Sequence, residues 1–192
     1  MGVEYEWKFA AKPELLTAID EAFPQEARTF QMETTYYDTT SGALSSRHYT
    51  LRRRLENSIS LCTLKTPAGS ARAEWELDCN DISQAIALLK STDCPRDFFV
   101  MVEEGILPIC GARFTRIAKT ITLPEVTVEL ALDQGILTGG SKEEPLCEVE
   151  VELKSGSREE CDLFARTLAA RFGLKILPNS KFSRALALYK GE

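Results

Sequence analysis

The sequence predicts a mainly β protein of the α+β class: a closed eight-stranded antiparallel barrel, or tunnel, with helices packed outside. Three observations predict it. Segments 3–10, 33–39, 49–56, 59–66, 71–79, 112–123, 125–134 and 146–154 alternate apolar and polar residues with period two, the signal of a strand with two unlike faces. Gly, Pro, Asn or Ser separates most of them, as turns require. The remaining segments have helical periodicity, and their apolar stripes need an apolar surface to cover. Eight strands in one short chain point to a closed barrel.

The helices follow from local signals. Segment 13–23 places Leu15, Leu16, Ile19 and Phe23 on one stripe behind Pro13, a residue suited to a first turn. Segment 81–90 starts at Asp81, a capping type of residue. Segment 97–104 is a shorter helix. Segment 157–172 opens Ser-Arg-Glu-Glu and ends before Gly173, a capping-box start and a glycine stop. Segment 182–189 reads as a final helix, with a strand as the alternative. No repeat or linker interrupts the chain, so residues 1–192 form one domain.

Composition narrows the function. The 192 residues carry a formal net charge of -6, which gives no general attraction for nucleic acid or an anionic membrane. No apolar run approaches the ~20 residues that span a bilayer, and the first residues do not read as a signal peptide. Cytoplasmic location is therefore expected. Cys62, Cys79, Cys94, Cys110, Cys147 and Cys161 are widely spaced, and are expected to be buried free thiols. His48 is the single histidine. That argues against a histidine zinc site or a Ser-His-Asp triad, and leaves carboxylates to hold any metal. His48 itself is read as a surface residue near a turn, and Trp7 and Trp75 as core under the helices.

The period of two sorts the charges. Glu4, Glu6 and Lys8 share one face of the first strand. Arg52 and Arg54 share a face of the third. Arg72, Glu74, Glu76 and Asp78 do so in the fifth, Glu129 and Asp133 in the seventh, and Glu148, Glu150 and Glu152 in the eighth. An amphipathic strand taken alone turns such a face to water. Here the helices need the apolar faces, and the charges are segregated by sign. Both features turn the charges inward. Clustered carboxylates attract a divalent cation, and clustered Arg and Lys suit phosphate oxygens. Together they describe a metal-polyphosphate site.

These residues also fall into the motifs of a known family. Glu4-x-Glu6-x-Lys8 resembles the signature of the CYTH superfamily, or triphosphate tunnel metalloenzymes. Tyr36-Tyr37-Asp38-Thr39, Leu51-Arg52-Arg53-Arg54, Thr63-Leu64-Lys65, Arg72-x-Glu74-x-Glu76, Phe114-Thr115-Arg116 and Ser180-Lys181 with Arg184 resemble its later motifs, in the family's order. Glu129 to Gly135 and Glu148 to Glu152 resemble the bacterial inorganic triphosphatase branch. The resemblance spans essentially the whole chain. It implies a tunnel barrel, a small-molecule triphosphate substrate and Mg²⁺ or Mn²⁺. Hydrolysis of tripolyphosphate to pyrophosphate and phosphate is the expected activity. Adenylate cyclase, thiamine triphosphatase and a non-catalytic polyphosphate or nucleotide binder are the alternatives. A monomer or a homodimer would serve.

The resemblance also implies roles. Glu4 and Glu6, with Glu148, Glu150, Glu152 and Glu129, form the metal-binding set, and Glu150 and Glu152 are the favoured pair on their strand. Arg52, Arg54, Lys65, Arg72, Arg116, Lys181 and Arg184 bind phosphate oxygens. Lys8 binds phosphate or positions a neighbour. Glu74 and Glu76 orient water, orient the arginines or help hold a second metal, with plain ion pairing to Arg52 and Arg54 as the alternative. Tyr36 or Tyr37 donates to phosphate. Arg113 and Lys119 fall on the opposite parity to Arg116 and are left out.

Overall fold

The structure, a computed structural model, describes residues 5–68 and 71–192. One antiparallel sheet dominates it. In chain order the elements are β1 (Glu6–Ala10), α1 (Pro13–Ala22), β2 (Ala27–Thr39), α2 (Ala43–Ser46), β3 (Thr50–Glu56), β4 (Ile59–Ala68), β5 (Ala71–Asp78), α3 (Ile82–Leu89), α4 (Arg96–Val102), β6 (Ile106–Leu123), β7 (Val126–Gly139), β8 (Lys142–Gly156), α5 (Arg158–Phe172), β9 (Lys175–Ile176) and α6 (Lys181–Lys190). The strands hydrogen-bond in the order β5-β4-β3-β2-β6-β7-β8-β1-β9.

That order has two ends, so the expected closed eight-stranded barrel is corrected to an open nine-stranded sheet. Closure would need a ladder between β5 and the β1–β9 edge. Among the described residues β5 pairs only with β4, and β9 only with β1. The sheet nevertheless curls: side chains from β1, β2, β3, β4, β5, β6 and β8 line one cavity. Long, twisted strands produce that curvature, helped by bulges at Tyr36/Tyr37 and Thr127/Val128.

The convex face is apolar, as the alternation requires. Phe9, Val128, Leu130, Leu132, Val149 and Val151 meet Leu16 and Ile19 of α1 and Cys161, Ala165 and Leu168 of α5. Each such large side chain contributes about 1.5–3 kcal/mol on burial. Farther along, Leu51, Cys62 and Leu64 pack against Leu44, Ile82, Leu89, Phe98 and Met101 of α2, α3 and α4. Trp7 and Trp75 are half-buried in these two layers. Local signals explain the helix ends. Asp81 accepts from the Gln84 N–H and Ser157 from the Glu160 N–H. Gly173 closes α5 at φ 64°, a left-handed conformation that glycine adopts freely. Lys119 donates to the Asp20 and Phe23 carbonyls at the end of α1 and pairs with the Asp20 carboxylate, a structural role away from the concave face. Arg113 is exposed and pairs with Glu143. The six cysteines are free, five of them buried and Cys147 half-buried. His48 is exposed, with φ 60°.

One helix departs from the expectation that all helices pack outside. Segment 182–189 is indeed helical, within α6, but α6 lies on the concave face. Ala185 is buried among Tyr36, Ala112, Phe114, Leu137 and Leu146, which share the parity of the inward charges. Close approach is possible because β7 carries Gly139 at the contact, where a Cβ would lie 2.4 Å from the Tyr189 N. No helix among the described residues is long and apolar enough to cross a membrane.

Candidate functional site

The concave face holds a cavity of about 190 Å³. Among the described residues seven cationic side chains line it (Lys8, Arg52, Arg54, Lys65, Arg72, Arg116 and Lys181), against three carboxylates, Glu6, Glu150 and Glu152. The acidic chain thus concentrates positive charge at one place. The period-two pattern makes this possible, because Arg52 and Arg54 of β3, Lys65 of β4 and Arg72 of β5 all fall on the inward parity.

One wall is the cationic bed of β3 to β5. Lys65 lies 3.4 Å and Arg52 3.9 Å from Glu74, and Arg54 lies 3.5 Å from Glu56. Arg72 donates to the His48 carbonyl and the Thr50 hydroxyl, each at 3.0 Å. The Nε atoms of Arg52 and Arg54 are buried without a hydrogen-bond partner. Burial, and next the charge of Arg52, push the Arg54 guanidinium below its ordinary value. Buried donors and mutually repelling cations are the preparation an anion would complete. Tyr36 also lines the cavity, whereas Tyr37 packs on the convex side.

The opposite wall is anionic and follows from strand register. Glu6 of β1 faces Glu152 of β8, which faces Glu129 of β7. Glu6 pairs with Lys8 at 2.7 Å and Glu152 with Lys154 at 2.9 Å. Glu129 sits at the rim with Arg28 at 2.9 Å and Lys154 at 4.0 Å. Glu4 lies outside the described residues.

Deeper, a denser network departs from the expected roles. Asp133, Glu148 and Glu150 bring carboxylate oxygens within 4.8 Å of one another. Lys181 of α6 sits among them, 2.8 Å from Asp133 and 2.8 Å from Glu150, and also bonded to Glu148. Arg116 forks onto Asp133 with two 2.7 Å bonds and also meets Glu150. Arg184, which does not line the cavity, pairs with Glu148. Burial opposes ionisation of Glu150, but Lys181 and Arg116 outweigh it and hold its carboxyl well below the usual range. Burial likewise opposes the charge on Lys181, yet Glu150, Asp133 and Glu148 raise its pKa. Lys181 and Arg184, expected on phosphate, therefore face protein carboxylates, and Glu148, expected on metal, is engaged by two cations. Glu76, expected beside Glu74, is exposed on edge strand β5 and does not line the cavity.

Glu56, Thr50 and Phe182 are site or supporting residues that the sequence did not single out, and Asp133 and Ser180 stood within quoted motifs without a role of their own. Asp133 shares the parity of Glu129, which was the available signal. A divalent cation fits the oxygen donors of Glu6 and Glu152 at the cavity wall, whereas Glu150, expected beside them, is taken up by Lys181 and Arg116. Such a cation fits the deeper triad poorly, because Lys181, Arg116 and Arg184 already neutralise those oxygens.

A CYTH domain model matches residues 2–186. The chain belongs to the CYTH domain family. An inorganic triphosphatase from Haemophilus influenzae is 26% identical over 194 residues, which cover 96% of this chain and 54% of that protein. The chain thus spans about half the length of this relative. Among solved structures, a Hippeastrum protein described as a candidate adenylyl cyclase with a dominant triphosphatase activity matches with a TM-score of 0.67 at 19% identity, over 100% of this chain and 96% of that one. A Bacillus halodurans protein described as a candidate adenylate cyclase matches at 0.62 and 18% identity, over 94% and 96%. At such identities the similarity is one of fold.

Proposed function

We propose that this protein hydrolyses inorganic triphosphate with the help of a divalent cation, Mg²⁺ or Mn²⁺, releasing pyrophosphate and phosphate. One observation carries the reading: among the described residues seven cationic side chains line a cavity with three carboxylates, and two buried arginine Nε donors there lack partners. A compact polyanion answers that arrangement.

Arg52, Arg54, Lys65 and Arg72 bind the phosphate chain on one wall. Glu74 holds Lys65 and Arg52 in position as a counter-charge. Arg116 and Lys8 flank the chain from the other side and neutralise charge that grows on the phosphoryl oxygens, the main lever in this chemistry. Glu6 and Glu152, with Glu4, would hold the cation. When bound, the cation screens phosphate charge from the carboxylate wall and polarises the phosphoryl group. Burial of the cavity strengthens each of these interactions.

A second reading has one observation in its favour. A cavity of about 450 Å³ adjoins the first, sharing Thr50, Arg72, Ser180 and Phe182, and adds the apolar Pro67, Leu186 and Ala187. An organic group on a triphosphate, such as a nucleoside or thiamine, would sit there.

The test is phosphate release from tripolyphosphate, ATP and thiamine triphosphate, with Mg²⁺, Mn²⁺ or EDTA, beside Glu6→Gln and Arg52→Ala variants. Metal-dependent release that favours tripolyphosphate and is lost in both variants supports the first reading. Preference for an organic triphosphate selects the second. No release from any of them overturns both.

A further inference from the structure

We propose that Lys181 is a tethered cation that fills the deep carboxylate site of Asp133, Glu148 and Glu150, closing that site to divalent metal and leaving the row of Glu6 and Glu152 to bind it. The proposal concerns how many metals the chain holds and where, and does not depend on which triphosphate is cleaved.

Three carboxylates whose oxygens converge are an ordinary invitation to a hard cation. Here the invitation is answered from within the chain. The Lys181 ammonium contacts Asp133, Glu148 and Glu150 at once. Asp133 and Glu148 are fully buried, and two uncompensated carboxylates at that depth would be expensive. Arg116 donates to both oxygens of Asp133 and approaches Glu150, and Arg184 pairs with Glu148. A metal ion could enter only by displacing an ammonium attached to a packed helix.

The placement of Lys181 follows from α6. Ser180 caps the helix by accepting from the Ser183 N–H. Lys181 and Arg184, three residues apart, fall on one helix face, and both reach Glu148. Ala185 packs beneath them, and the far end of the helix rests on Gly139. The ammonium is thus positioned by a rigid element, and Glu148 acts as its anchor. By contrast, Glu6 pairs with Lys8 and Glu152 with Lys154, each a lysine of the same strand, at the cavity wall, where a solvated cation can exchange with a flexible side chain.

The test counts Mn²⁺ bound per chain by electron paramagnetic resonance, with Mn²⁺ alone and the full chain. Lys181→Met is expected to bind one Mn²⁺ more than the wild type, and Lys181→Met with Glu148→Gln to lose that extra ion. Glu148→Gln alone is expected to match the wild type. A folded Lys181→Met protein that gains no Mn²⁺ overturns the proposal, as does a lower count in Glu148→Gln, which would make Glu148 a metal ligand. Should Lys181→Met fail to fold, Glu148→Gln decides alone: an unchanged count supports the proposal and a lower one overturns it.

Discussion

Arg52 and Arg54 stand two residues apart on the concave face of β3, and each keeps a buried Nε without a hydrogen-bond partner. The pair costs the ligand-free protein stability, because burial and the Arg52 charge both work against the charged form of Arg54. A residue that functions through this strain should be dispensable for folding. Arg54→Met is expected to be neutral or to stabilise the ligand-free protein by about 1 kcal/mol, and to lower kcat/KM for tripolyphosphate about 100-fold. Urea unfolding and phosphate release measure the two effects. A large loss of stability would show that Arg54 is held for its pairing with Glu56 instead.

Glu6 and Glu152 are direct partners across β1 and β8, and like charges so placed are destabilising unless a cation intervenes. Lys8 and Lys154 supply part of that relief. Mg²⁺ or Mn²⁺ should therefore raise the melting temperature, by about 2.7 kcal/mol of added stability at a hundredfold excess over Kd. Glu6→Gln and Glu152→Gln are each expected to abolish that rise while leaving the metal-free melting temperature unchanged or higher. Differential scanning calorimetry with and without metal decides it, and an undiminished metal-induced shift in both variants would remove these two residues from the metal site.

Glu150 should govern the acid limb of stability. Its folded pKa lies well below the ordinary glutamate value because Lys181 and Arg116 outweigh its burial. A depressed carboxylate contributes stability that is fully present above its unfolded pKa, about 4.3, and that is lost as pH falls through the lower, folded value. Glu150→Gln is expected to cost roughly 3 kcal/mol at pH 7, since it breaks a buried ion pair. The gap between variant and wild type should close only below about pH 4. Urea midpoints measured from pH 7 to pH 3 would expose a gap that closes earlier, which would contradict the assignment.

Strand parity was legible in the residues themselves. Glu6 and Lys8, Arg52 and Arg54, and Glu150 and Glu152 were each read onto one face of their strand, and the sheet turns all of them into one cavity. The register between distant strands was not legible. Whether Asp133 meets Arg116 depends on how β6 pairs with β7, and a single strand carries no record of that. Nor does helical periodicity say which side of a sheet a helix will cover. The apolar stripe of α6 suited either face, and the choice was made by Glu148, 33 residues before Lys181, and by Gly139, 50 residues before Tyr189. Closure likewise depends on two edges finding each other, and the five residues of β1 pair with β8 and β9 instead.

Gly139 gives the sharpest check on where α6 lies. A Cβ at this position would stand 2.4 Å from the Tyr189 N, 2.6 Å from the Ala185 O and 2.7 Å from the Leu188 Cβ. Two of those atoms are backbone and cannot rotate away, so the helix itself must shift. Overpacking of this kind costs about 1–3 kcal/mol. Gly139→Ala is expected to lose that much stability in urea and to speed amide hydrogen exchange through α6, with the helices on the convex face unaffected. Because Lys181 rides on α6, the same variant should also loosen the Lys181 contacts with Asp133 and Glu148. Unchanged exchange in α6 together with unchanged stability would mean that the helix does not rest on β7, and the concave placement of Lys181 would fall with it.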